Sequence, residues 1–202
     1  LVVLAGQWWL GAALKDADVV QLQARNLPGV PDEPVDPPGW PYGWAEAGMC
    51  GFLVLGFVAA TLSLPAAIFG ILGVLAVTML VVTRVQLGRF TRYSREVLDK
   101  LRAYRPVLAM PYNGDFGFHL GLWSPYLQRI QQPFIVVTTD AHSFKRVCEM
   151  YTMPVIYSPT GEPRAIRAML PKTVRAALYV YNGGNDEFLK VRRIIHVWLH
   201  HG

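Results

Sequence analysis

The residues of this chain that can do chemistry stand in short loops, each directly after an apolar run. Asn113, Gly114 and Asp115 follow Val107 to Tyr112, and Asp140, Ala141, His142 and Ser143 follow Phe134 to Thr139. Ser158 to Gly161 follow Pro154 to Tyr157, Asn182 to Asn185 follow Ala176 to Tyr181, and His200, His201 and Gly202 follow Ile194 to Leu199. Neutral imidazole accepts a proton near pH 7, so a loop histidine suits general-base work. From this set the substrate-binding candidates are Asn113, Asp115, Asp140 and Gly202, and the catalytic candidate is His201.

Each candidate also has a plain structural role. Asn-Gly-Asp is a common tight turn. Asp140 and Ser143 are helix-capping types. Gly183-Gly184 forms neither a GxGxxG nor a GxxxxGK[ST] pattern, so no nucleotide-binding motif is present. His119 lies in an apolar helix-like stretch beside Leu120 and Trp123, and His196 lies inside a strand-like run; both read as structural. Two distant cysteines with adjacent histidines do not make a zinc ligand set. No Ser stands in a G-x-S-x-G elbow, so a catalytic triad lacks its nucleophile. No cofactor is called for.

These loops need a scaffold that points them the same way. The five apolar runs read as buried strands, and Phe118 to Ile130, Ser143 to Tyr151, Glu162 to Leu170 and Asp186 to Val191 read as helices between them. Strands apolar along their whole length and alternating with helices argue for a parallel sheet covered on both faces, a Rossmann-like half over 106–202. In such sheets functional groups gather at the carboxyl ends of the strands.

The first half of the chain has a different composition. From Ala47 to Thr83 there is no charged residue. That length exceeds one spanning helix of about 20 residues. Ala47 to Leu62 and Pro65 to Val82 read as two short helices in a hairpin broken at Ser63-Leu64-Pro65, with one Pro-kinked helix as the alternative. The expected membrane-spanning region is therefore 1–83, with a Pro-rich loop at 15–46 whose Trp40, Tyr42 and Trp44 suit the water-lipid boundary. The run Leu1 to Leu14 reads as a truncated first helix, and the chain stops directly after a strand-like run, so both ends are expected to be artificial.

Arg84, Arg89, Arg92, Arg95, Lys100, Arg102 and Arg105 follow the apolar tract against only Glu96 and Asp99. A basic flank of this kind assigns the domain after it to the cytoplasm, in a multi-pass cell-membrane protein. The segment 84–105 also carries apolar residues at helical spacing, so it reads either as a helix lying at the headgroups or as a solvated connector. The formal net charge of +5 comes without any nucleic-acid-binding signature, and Cys50 and Cys148 imply no disulfide framework.

The run Val197-Trp198-Leu199-His200-His201-Gly202 resembles the Trp-x-x-His-Gly block of the CDP-glycerol glycerophosphotransferase family, the teichoic-acid polymerase-like enzymes. The similarity extends from Arg105-Pro106-Val107-Leu108 to Tyr181-Asn182, and His200 stands where the family has a small residue. The resemblance implies a GT-B arrangement, with this chain holding the N-terminal, acceptor-side half. It also implies transfer of glycerol phosphate from a CDP-glycerol donor to a lipid-linked polyol-phosphate acceptor at the membrane, with His201 as general base. The alternatives are a membrane-associated GT-B glycosyltransferase, or a non-catalytic membrane protein with a nucleotide-binding regulatory domain.

Overall fold

A run such as Phe134-Ile135-Val136-Val137-Thr138 has no polar face to offer water, and all five residues are buried. Strands of this kind are stable only where both faces of a sheet are covered. The structure, a computed structural model, describes residues 21–31, 66–114, 118–158, 161, 163–180 and 186–199. Its contacts divide the chain into two compact units, 1–18 with 36–91, and 19–35 with 92–202.

The second unit holds the sheet. In chain order the described elements are β1 (Gln23–Arg25), α1 (Ala66–Tyr104), β2 (Leu108–Pro111), α2 (Phe118–Ile130), β3 (Phe134–Thr138), α3 (Ala141–Met150), β4 (Val155–Tyr157), α4 (Pro163–Met169), β5 (Ala176–Tyr179), α5 (Asp186–Leu189) and β6 (Ile195–Trp198). The strands form one six-stranded sheet in the order β1-β4-β3-β2-β5-β6. β4, β3, β2, β5 and β6 are parallel, whereas β1 runs antiparallel beside β4. The chain starts the parallel set at its centre, builds outward through β3 to β4, and then returns to the other side of β2. The reversal lies between β2 and β5, the position at which open sheets of this kind hold their ligands, outside the carboxyl ends of the strands.

Side chains that alternate along the strands feed two cores. One contains Ala109, Ile135, Val137, Ile156, Ala177 and Tyr179 with Val97 and Leu101 of α1, Ile166 and Met169 of α4, and Phe188 of α5. The other contains Met110, Tyr112, Val136, Val155, Leu178 and Val180 with Leu120 and Leu127 of α2 and Val147 of α3. Burying an aliphatic or aromatic side chain contributes roughly 1.5–3 kcal/mol, so these two layers supply most of what opposes chain entropy.

The expected architecture is overturned in two respects. The sheet is mixed, because residues assigned to a Pro-rich loop contribute β1. In addition, no helix of the described residues is long and apolar enough to cross a membrane. Where a short spanning helix over Pro65 to Val82 and a separate basic helix over 84–105 were expected, α1 is one helix of 39 residues from Ala66 to Tyr104. Val97 and Leu101 of its apolar stripe, expected to face lipid headgroups or solvent, are buried in the first core instead, with Leu98 and Tyr104 packed against it. The α-helical membrane segment with a Rossmann-like half of GT-B type is thus replaced by a small α/β domain with a mixed sheet. The expected multi-pass cell-membrane location, with a cytoplasmic domain, is corrected on the same finding. The other features expected in the first half, the helix over 1–14, the aromatic end of the loop at Trp40 to Trp44 and the helix over 47–62, lie outside the described residues.

Helix ends explain where the chain turns. Arg105 closes α1 with φ 53°, its N–H donating to the carbonyl of Leu101 at 3.2 Å, and Pro106 then blocks further helix. Gln131 closes α2 in the same way, with φ 54°, and Pro133 follows before β3. Both turns deliver the chain into buried parallel strands.

Candidate functional site

The carboxyl ends of β2 and β3 are joined by one amide. Asn113 Oδ1 accepts from the Thr138 hydroxyl at 2.8 Å and from the Thr139 N–H at 2.9 Å, while its Nδ2 donates to Thr139 Oγ1 at 2.9 Å. An Asn side chain has two acceptor sites and two donor hydrogens, so one N–H remains beyond these contacts. The arrangement follows from register: Pro111 lies opposite Val137, which brings the residues just past the two strands level with each other.

Gly114 is positioned by what surrounds it. A Cβ there would come 2.6 Å from the Tyr112 hydroxyl oxygen, so only glycine lets the chain pass beneath that ring. The Gly114 carbonyl accepts from the Ser143 hydroxyl at 3.1 Å, tying the β2 loop to the start of α3. Gly161, at φ 59°, brings the loop after β4 close to Thr139. The left-handed conformation there is one that L side chains rarely adopt.

Asp140 is the N-cap of α3, accepting from the Ser143 N–H at 2.6 Å. That amide hydrogen bond is the main reason the Asp140 carboxyl titrates below its ordinary value, working against partial burial. The carboxylate therefore stays ionised at neutral pH, and the N-terminus of α3 already faces a negative charge. A phosphate would meet repulsion there, whereas a hydroxyl could donate to the carboxylate. The Tyr157 phenol, stacked on Phe144 at 5.1 Å, is shifted upward first by burial and then by the Asp140 charge.

A second polar group sits under β5 and β6. His196 Nε2 lies 3.2 Å from the Val191 carbonyl, an acceptor only, so Nε2 carries the proton and Nδ1 accepts from the Tyr179 hydroxyl at 2.7 Å. Burial pushes the Tyr179 phenol up to about 12, which keeps it a donor. Tyr179 also stacks on Trp198 at 4.8 Å. This hydrogen-bonded stack joins the side chains of β5 to those of β6, the strand from which the sequence runs on to His200, His201 and Gly202.

The structure thus brings Asn113 and Asp140 to one edge of the sheet, bridged by Thr138 and Thr139. Asp115, His201 and Gly202 lie outside the described residues, as do Asn182 to Asn185. His142 occupies an exposed position in the first turn of α3. The two threonines escaped sequence reasoning because they read as the tail of a strand; a Thr-Thr-Asp step at a strand end is the signal that would have raised them. Among the described residues, no three His, Cys, Asp or Glu side chains converge to hold a metal. No protein-family model, no curated protein and no solved structure matches this chain.

Proposed function

We propose that this protein transfers a polyol phosphate, glycerol phosphate in the first instance, from a CDP-linked donor to the hydroxyl end of a lipid-linked polyol-phosphate chain. The observation that carries this reading is the direction of β6. It runs parallel to β5, with Tyr179 opposite Trp198, so its carboxyl end points to the same edge of the sheet as Asn113 and Asp140. The Trp-x-x-His-Gly block begins at that end, with His201 three residues beyond Trp198.

In the reaction, His201 takes the proton of the acceptor hydroxyl as its oxygen bonds to the phosphorus that bears glycerol. The bond from that phosphorus to the bridging oxygen breaks and CMP leaves with the electron pair. Asn113, with its remaining N–H, and Asp140, as an ionised acceptor, orient hydroxyls of the polyol. General-base catalysis of this kind contributes about 10²–10⁴-fold.

The test is CMP release from CDP-glycerol by the full-length protein in the presence of a glycerol-phosphate oligomer. His201→Ala should lower turnover by roughly 10²-fold or more, with the circular dichroism spectrum unchanged. Turnover equal to that of the unaltered protein removes His201 as the base. Failure of the unaltered protein to release CMP removes the CDP-glycerol transferase reading and leaves a glycosyltransferase acting on a nucleotide sugar or a non-catalytic domain in its place.

A further inference from the structure

The amino ends of β5 and β6 carry a feature that the proposed reaction does not use. The loops before these strands, 170–175 and 190–194, lie side by side because Ala176 pairs with Ile195 and the Ile195 N–H donates to the Arg175 carbonyl at 2.9 Å. The Arg193 guanidinium donates to the Leu170 carbonyl and ties the two loops together. Lys172, Arg175, Arg192 and Arg193 are all exposed on them, and exposed Arg167 precedes them in the last turn of α4. On the neighbouring strand, the Arg175 N–H donates to the Val107 carbonyl at 2.8 Å, which brings exposed Arg105 to the same edge.

Among the described residues, these cations form no ion pair, unlike Arg102, which pairs with Asp99, and Arg146, which pairs with Glu149. So many like charges on one edge cost self-repulsion, which an anionic partner would relieve. Adjacent strands stand about 4.8 Å apart, so cations at the ends of β2, β5 and β6 spread over roughly 10 Å. One phosphate cannot span that width, whereas successive phosphates of a chain can. Arginine, which predominates here, offers planar paired donors to phosphate oxygens.

We propose that this edge docks a linear polyanion with repeating phosphates, namely the body of the polyol-phosphate acceptor, whose reacting end is handled at the opposite edge. The choice of polymer rests on the proposed function; the charge geometry does not. Docking at a distance from the reacting end would favour long acceptors over short ones.

The experiment is fluorescence anisotropy of a labelled long oligo(glycerol phosphate) with the purified full-length protein at low and at physiological salt. Binding should weaken steeply with salt, because each phosphate contact releases counterions. Arg175→Glu combined with Arg192→Glu should weaken it by roughly tenfold or more, and Arg175→Lys combined with Arg192→Lys should retain most of it. Unchanged affinity after charge reversal overturns the proposal. So does tighter binding of an oligothymidylate or of phosphatidylglycerol vesicles at matched phosphate concentration, since the partner is then nucleic acid or a lipid surface. Should charge reversal alter the fold, Lys172→Gln with Arg192→Gln carries the same test. Anisotropy needs no turnover, so loss of transfer through His201 and loss of docking are read separately.

Discussion

At Asp140 one carboxylate meets two demands, the Ser143 amide 2.6 Å away and any ligand that reaches the carboxyl edge of the sheet. The cap is the demand whose size can be stated. Replacing an N-cap Asp by Ala costs about 1 kcal/mol, whereas Asn restores most of the hydrogen bond but not the charge. Because the Asp140 carboxyl titrates lower in the folded state, its contribution is present above the ordinary carboxylate range and is lost as pH falls through its own lowered value. Urea unfolding should therefore show Asp140→Ala about 1 kcal/mol less stable than the unaltered protein at neutral pH, with the gap closing in acid. A gap that does not change with pH would show that the charge plays no part. The residue types at the site were legible: Asn113 and Asp140 stand out as polar groups after apolar runs. Their bridging through Thr138 and Thr139 was not, because it depends on the register between β2 and β3, which no local pattern encodes.

Among the elements, β1 shows what a sequence window cannot carry. Gln21 to Asn26 has only Leu22 and Ala24 to offer a core, and prolines follow at 28 and 31. Three residues pair with β4, and among the described residues the strand's other edge is met by α1 rather than by a further strand. The Tyr93 hydroxyl donates to the Ala24 carbonyl at 3.1 Å and lies 3.3 Å from its N–H, while the Ser94 hydroxyl serves the N–H and carbonyl of Leu22, both at 3.1 Å. Asn26 finishes the strand at φ 56°, its side-chain amide donating to the carbonyls of Tyr151 and Met153. An exposed strand edge invites unwanted pairing, and these side chains cover it. Tyr93→Phe leaves a fully buried N–H and carbonyl of Ala24 without that hydroxyl, at a cost of about 1–3 kcal/mol. Urea unfolding measures this, and an unchanged midpoint would mean that water replaces the hydroxyl. By contrast, the helices and strands after Pro106 agree with the periodicity to within about two residues, since each is long or apolar enough to declare itself. The long apolar tract misled for a physical reason: a helix hydrophobic in one half and amphipathic in the other shows the same local pattern whether lipid or a sheet covers it, and in α1 the amphipathic half lies on the sheet.

On the scale of the whole sheet, the strand order implies a gradient of stability that chain order does not show. β2 is flanked by β3 and β5, and β3 by β2 and β4, so these strands have ladders on both sides and covered faces. β3 is buried at every residue, whereas in β6 Ile195 is 68% and Trp198 49% exposed, and only β5 pairs with it among the described strands. Opening β6 locally breaks one ladder and uncovers little apolar surface; opening β3 breaks two and exposes both cores. Native-state hydrogen exchange should therefore find the amides of Ile135 to Thr138 released only by global unfolding, with those of Val197 and Trp198 exchanging faster through local opening. Asn113 and Asp140 follow strands on the stable side of this gradient, and Trp198 stands on its yielding side. If β6 proves as protected as β3, something beyond the described strands completes that edge, and the Tyr179, His196 and Trp198 stack is then part of a rigid site rather than of a movable one.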